Sequence, residues 1–138
     1  MQFMSNPSDR PILTVDIVPL TLANGRLCVL RALRPEAPFA GRAALIGGYV
    51  HTDEDRHLGD SARRVLTAKA GLSALYVEQL STFSGPDRDP RGWSASVAYF
   101  SLSPLTALQP ALEAPGLELV PADEAGGMPV DPDTILAA

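Results

Sequence analysis

A chain of 138 residues, 46% hydrophobic and 20% charged, is long enough for one domain with its own core. Its formal net charge of −5 offers no global basic field for nucleic acid or an anionic membrane. No run of about 18 apolar residues and no basic-then-apolar leader argue for a membrane helix or a signal peptide, and the single cysteine, Cys28, excludes an internal disulfide, reads as a buried thiol and fits a reducing cytoplasm.

In chain order, residues 1–11 read as a loose leader. Ile12 to Ala23 (ILTVDIVPLTLA) predicts a strand, with Pro19 implying an edge or a bulge. Asn24-Gly25 is a strong hairpin signal, and Arg26–Leu33 is the returning strand. Residues 34–42 (RPEAPFAGR) form a proline-rich loop that either covers a ligand site or merely connects. Ala43–Ile46 predicts a short strand ending at Gly47-Gly48, with Tyr49 and Val50 extended before an acidic turn, His51–Asp55. A helix is predicted over 57–70, because Leu58, Ala62, Val65, Leu66 and Ala70 make one apolar stripe and Gly71 is a natural stop.

Leu75–Ser84 and Ser94–Ser103 predict two further strands, separated by a polar, turn-rich insert, SGPDRDPRGW. After Pro104, LTALQPALEAPG reads as a loop or turn, Leu117–Val120 as an edge strand, and Pro132–Ala137 as a short final helix capped by Asp131. The order β-β-β-α-β-β-β-α predicts a single α/β (α+β) domain over residues 1–138, its mixed sheet sandwiched between helices.

Gly47 to Leu72, GGYVHTDEDRHLGDSARRVLTAKAGL, resembles the Nudix box, G-x5-E-x7-R-E-U-x-E-E-x-G-U with U aliphatic. The resemblance implies the Nudix fold. It also implies hydrolysis of a nucleoside diphosphate with Mg²⁺ or Mn²⁺ held by clustered glutamates on one helical face. Anchored on Gly71-Leu72, the pattern puts Arg64 and Leu66 at its R and U, but Val65, Ala68 and Lys69 at its three glutamates. Anchored on Gly48 it puts Glu54 at its first glutamate, so a two-residue insertion is expected within Asp55–Ser61.

From Ser61 to Gly71 there is no Asp or Glu in any register. The helical face changes from about −3 to +1, and like charges near 4 Å repel by about 1 kcal/mol in water and several times more at a partly buried site. The usual metal chemistry is therefore expected to be disabled, with no metal ligands on this face. Glu54 and Arg64 are the candidate catalytic residues of the box, or simply an ion pair bracing its loop. Gly47 and Gly48 match glycines that allow close backbone approach. Lys69 is either a solvated helix-end lysine or an ammonium taking the metal's place against a diphosphate.

Residues 78–100, EQLSTFSGPDRDPRGWSASVAYF, resemble one Nudix branch that holds ADP-ribose pyrophosphatases and Nudix-related transcriptional regulators. Together the two resemblances cover about Thr14 to Phe100. In the regulators the Nudix domain senses ADP-ribose or related nucleotides and a C-terminal winged helix binds DNA. A winged helix would need roughly another domain's length, whereas about 35 acidic, proline-rich residues follow Phe100, so autonomous DNA binding is not expected. Arg88 and Arg91 offer planar forks for phosphate and Trp93 a stacking surface; alternatively Asp87, Arg88, Asp89 and Arg91 pair with each other. His51 and His57 are candidate bases or plain surface histidines.

Three functions follow. One is a domain binding an ADP-ribose-like ligand with hydrolysis lost or weak and no cofactor. The second is a divergent hydrolase using Mg²⁺ and carboxylates such as Glu54, Asp55, Asp60 or Glu78. The third is a protein-interaction or homodimer module.

Overall fold

The computed structural model describes residues 10–33 and 42–125. Its organising strand is β1 (Ile12–Ala23), whose alternation turns Val15 and Ile17 to one face and Val18 to the other. Asn24 and Gly25 take φ of 52° and 76°, the left-handed pair that a two-residue hairpin turn requires, and β2 (Arg26–Leu33) returns as expected. Cys28 is buried on it, as expected. The expected strand Ala43–Ile46 is broken at Leu45 into β3 (Ala43–Ala44), which pairs with the end of β2, and β4 (Ile46–Tyr49), which pairs with β1.

Pro19 lies at neither an edge nor a bulge but in the middle of the central strand. The Leu20 carbonyl accepts from Ser103, so the nitrogen of its neighbour Pro19 points to the opposite edge of β1. There the partner changes from β4, which ends opposite Ile17, to β2, which begins opposite Leu20. No ladder bond needs the missing N–H.

Helix α1 (Leu58–Ala70) matches the predicted helix. Asp60 reaches back to the backbone N–H groups of Arg56 and His57, and Gly71 closes the helix at φ 67° with its N–H donating to the Thr67 carbonyl. The expected polar insert is instead the outer half of a long ribbon, β5 (Glu78–Asp89) and β6 (Gly92–Leu102). A register shift between Gly85 and Asp89 lets the turn-forming residues stay within the ribbon as an irregularity.

The segment read as a loop or turn is partly helix, α2 (Leu105–Leu112), with Pro104 at its start and Pro110 inside it. Full burial of Leu108 and Ala111 offsets the bond that Pro110 cannot donate. The expected edge strand is β7 (Leu117–Pro121), paired with β2.

The result is an α/β domain on a seven-stranded mixed sheet, ordered β3-β2-β1-β6-β5, with β4 also on β1 and β7 on β2. β1 and β6 run parallel; the other pairs are antiparallel. Both helices join the larger core cluster, around Val15, Ile17, Leu30, Val65, Leu66 and Leu108. The opposite face carries a smaller cluster of Val18, Val29, Leu45, Ala98 and Ala125. The final helix expected at Pro132–Ala137, most of the leader and residues 34–41 of the expected loop lie outside the described residues.

Candidate ligand site around strand β4

Four residues, Ile46-Gly47-Gly48-Tyr49, form the strand on which the site is assembled. Ile46 is anchored in the core. A Cβ on Gly47 would stand 2.3 Å from Asp16 Oδ1 and 2.9 Å from the Val15 carbonyl oxygen; one on Gly48 would stand 2.9 Å from Val65 Cγ2. Both glycines are therefore required by close packing rather than by a turn. Gly47→Ala is expected to destabilise by about 1–3 kcal/mol, because the Val15 backbone cannot move aside; chemical denaturation would measure it.

Arg64 braces the acidic loop against β4. Its guanidinium grips Asp55 through two bonds, Nε to Oδ1 at 3.0 Å and Nη2 to Oδ2 at 2.7 Å, and Nη2 also donates to the Tyr49 carbonyl at 2.7 Å. Asp55 accepts two further bonds, from the His51 N–H at 2.9 Å and the Ser61 hydroxyl at 2.7 Å. Arg64 first, with those donors, holds the Asp55 carboxyl well below the usual carboxylate range. Glu54 stands 3.7 Å from Arg64 with its side chain 54% exposed, and bonds His51 at 2.6 Å. The principal partner of Arg64 is thus Asp55 rather than the expected Glu54.

A second brace meets β4 at the Tyr49 side chain. Arg91 donates from Nε to both oxygens of Asp89, at 2.9 and 3.0 Å, and the Asp89 side chain is only 2% exposed. Arg91 also donates to the Tyr49 hydroxyl and lies 5.3 Å above the Tyr49 ring. Asp89 first, and Asp16 more weakly, raise the Arg91 pKa further. Asp16 itself accepts from the Ser96 hydroxyl. Lys69 on the last turn of α1 donates from Nζ to the Gly47 carbonyl oxygen.

No family model matches the chain. A stretch of 108 residues is 35% identical to the ADPR responsive transcriptional repressor NtrR of Acinetobacter baylyi, covering 78% of this chain and 43% of that protein. A stretch of 71 residues is 34% identical to an ADP-ribose pyrophosphatase of Methanocaldococcus jannaschii, covering 51% of this chain and 41% of that protein. The NUDIX domain of Shewanella oneidensis NrtR, solved with ADP ribose, superposes at a TM-score of 0.83 with 30% identity, over 98% of this chain and 90% of that one. This chain belongs to the Nudix superfamily. It spans less than half the length of the two curated relatives.

Within that family, β4 brings together five of the residues singled out from the sequence: Gly47, Gly48, Arg64, Lys69 and Arg91. Glu54 sits at the rim. Arg88 and Trp93 stand on the β5–β6 ribbon. Arg88 Nη1 lies 3.4 Å from the Ser94 hydroxyl beside a depression of about 430 Å³ lined by Ser84 to Arg88. Trp93 is 49% exposed and falls, by alternation along β6, on the side of Val97 and Tyr99. The pairing of Arg91 with Asp89 fits the view that the charges of this loop satisfy each other. His51 and His57 are both exposed. Sequence reasoning missed Asp16, Tyr49 and Ser96. A lone acid inside the apolar strand ILTVDIVPL was the available signal for Asp16.

The divalent cation typical of the Nudix box does not fit the residues present. Val65 is 2% exposed and packs in the core against Gly48, while Ala68 and Lys69 offer no carboxylate. Among the described residues, no three His, Cys, Asp or Glu side chains cluster closely enough to hold a metal ion. The carboxylates that a divergent hydrolase could recruit are engaged elsewhere: Glu54 with His51, Asp55 with Arg64, Asp60 with Arg63 at 2.9 Å, and Glu78 with the Tyr76 hydroxyl at 3.2 Å.

Proposed function

We propose that this Nudix domain binds an ADP-ribose-like nucleoside diphosphate at the β4 site and hydrolyses it weakly or not at all. One observation carries the reading: the helical face that would hold metal has become core at Val65 and cationic at Lys69, while the braced frame around β4 is intact. The ligand class is supported by the relatives, of which one is named for its response to ADPR, one for hydrolysing ADP-ribose, and one was solved with ADP ribose.

The site's parts suit such a ligand. Lys69 supplies charge for the diphosphate, and Gly47 and Gly48 allow the backbone to approach it. Tyr49, 47% exposed beneath Arg91, offers a face for the base or ribose. Arg88 and Trp93 belong to the outer ribbon, where they would meet the ligand's far end. With a formal net charge of −5, the domain is proposed not to bind DNA by itself. No helix of the described residues is long and apolar enough to cross a membrane; a cytoplasmic location is proposed from the reducing compartment that the single Cys28 fits.

ADP-ribose is expected to raise the melting temperature with no release of AMP, because a ligand that binds only the native state stabilises it. The check is a thermal-shift titration with product analysis, with and without Mg²⁺. Mg²⁺-dependent AMP release would sustain the divergent hydrolase instead.

A further inference from the structure

Beyond β2 the sheet ends at β7, five mostly half-buried residues that close on Pro121. Its other end is β5, twelve residues that, among the described residues, pair only with β6. Every residue of β5 from Glu78 to Thr82 is exposed. An open edge of this length presents a row of backbone N–H and C=O groups without ladder partners, and proteins guard such edges with charges, prolines or bulges. β5 guards only its ends. Its register against β6 shifts between Gln79 and Ser81 and again between Gly85 and Asp89, and Pro86 lies in the second irregularity. Between the shifts, Ser81-Thr82-Phe83-Ser84-Gly85 runs in unbroken register with β6 and carries neither charge nor proline.

We propose that β5 pairs antiparallel with β5 of a second copy of this chain, joining the two sheets into one across a two-fold axis at Phe83. The sequence of the edge selects this occupant. With the axis at Phe83, all five regular residues oppose those of the other copy: Phe83 meets the partner's Phe83, Thr82 meets the partner's Ser84, and Ser81 meets the partner's Gly85. Counted outwards in the same register, Glu78 comes opposite the partner's Arg88 and Gln79 opposite the partner's Asp87. The edge is therefore complementary in charge to its own reverse. Glu78 bonds the Tyr76 hydroxyl and Arg88 the Ser94 hydroxyl, and a carboxylate and a guanidinium each make several bonds at once. Phe83 packs against the smaller core cluster, so its pairing carries that apolar face across the axis. An isologous contact uses up the edge of both copies and closes the assembly at two. The dimer does not depend on which ligand the β4 site takes.

The test is sedimentation velocity of the purified chain across micromolar concentrations, where wild type is expected to run as a dimer. Thr82→Lys combined with Ser84→Lys alters two exposed positions and sets like charges against each other on both sides of the axis. It is expected to weaken dimerisation about tenfold or more, and so is Thr82→Glu combined with Ser84→Glu. An equal mixture of the two double variants is expected to regain the dimer, and far-UV circular dichroism shows that each is folded. For the register, a Thr82→Cys chain mixed with a Ser84→Cys chain is expected to form a mixed disulfide under oxidation. Directly opposed Cα atoms stand about 4.5–5.5 Å apart, within the span of a disulfide. A wild-type chain that is monomeric throughout, a dimer that both double variants keep, or a mixture that stays monomeric overturns the proposal. Cysteine chains that cross-link only with their own kind overturn the axis at Phe83.

Discussion

Arg64→Met lowers the melting temperature by on the order of 10 °C, whereas Glu54→Gln leaves it nearly unchanged; thermal unfolding of the two variants at neutral pH checks both. The contrast follows from burial. The Asp55 side chain is 3% exposed and accepts from Arg64 Nε and Nη2, the His51 N–H and the Ser61 hydroxyl. Removing Arg64 takes away two of those donors and leaves a carboxylate that water cannot reach to compensate. It also frees the Tyr49 carbonyl, so the loop loses its tie to β4. Glu54, 54% exposed and 3.7 Å from Arg64, belongs to the class of surface pairs that contribute little. If Glu54 were the principal partner, the order of the two variants would reverse.

The same brace sets an acid limit. The Asp55 carboxyl titrates well below its ordinary value when folded, while the unfolded chain binds that proton near pH 4. Below about pH 4 the unfolded state therefore holds more protons, and stability rises with pH there. The contribution of Asp55 is fully present above about pH 5 and declines as pH falls through and below 4. In Arg64→Met the slope of stability against pH in that window should flatten.

Local signals in the sequence were reliable where the physics is local. Asn24-Gly25 needs only two left-handed residues to make its hairpin, and Gly71 needs only one to end α1. The stripe Ala62, Val65, Leu66 and Ala70 identified the buried face of α1 because burial follows helical periodicity. Gly85 and Pro86 misled, since the irregularity in the β5–β6 ribbon absorbs residues that would otherwise break a strand, whereas Pro90 does lie in the turn that joins the two strands. Pro110 misled in the same way, its cost covered by the burial of Leu108 and Ala111.

The site was legible through its glycines and its helix, and illegible wherever it depends on strand pairing. Asp16 and Ser96 lie 80 positions apart and meet only because β1 and β6 run parallel in register. Tyr49 joins Arg91 across 42 positions for the same kind of reason. Glu54 and Asp55 differ by one residue, and the turn that decides which faces Arg64 leaves no mark in composition.

Val65→Glu, which restores one glutamate of the Nudix pattern, destabilises the fold by roughly 2–4 kcal/mol and confers no hydrolysis. Val65 is 2% exposed, lies in the main core cluster and packs against the bare Cα of Gly48. A glutamate there enters an apolar contact, and Lys69, one turn further along α1, is already engaged with the Gly47 carbonyl oxygen. Ala68→Glu combined with Lys69→Glu alters two exposed positions instead and is expected to cost only about 1 kcal/mol, mostly from placing acids in the last turn of a helix. Denaturation of the single and double variants, alongside an assay for AMP release from ADP-ribose with Mg²⁺, separates the two costs. A triple variant that folds at wild-type stability and releases AMP would mean that Val65 stands at an open site rather than a closed core. The expected outcome is the opposite: the helix's exposed face can regain carboxylates cheaply, but its third position has been taken into the packing that holds β4 in place.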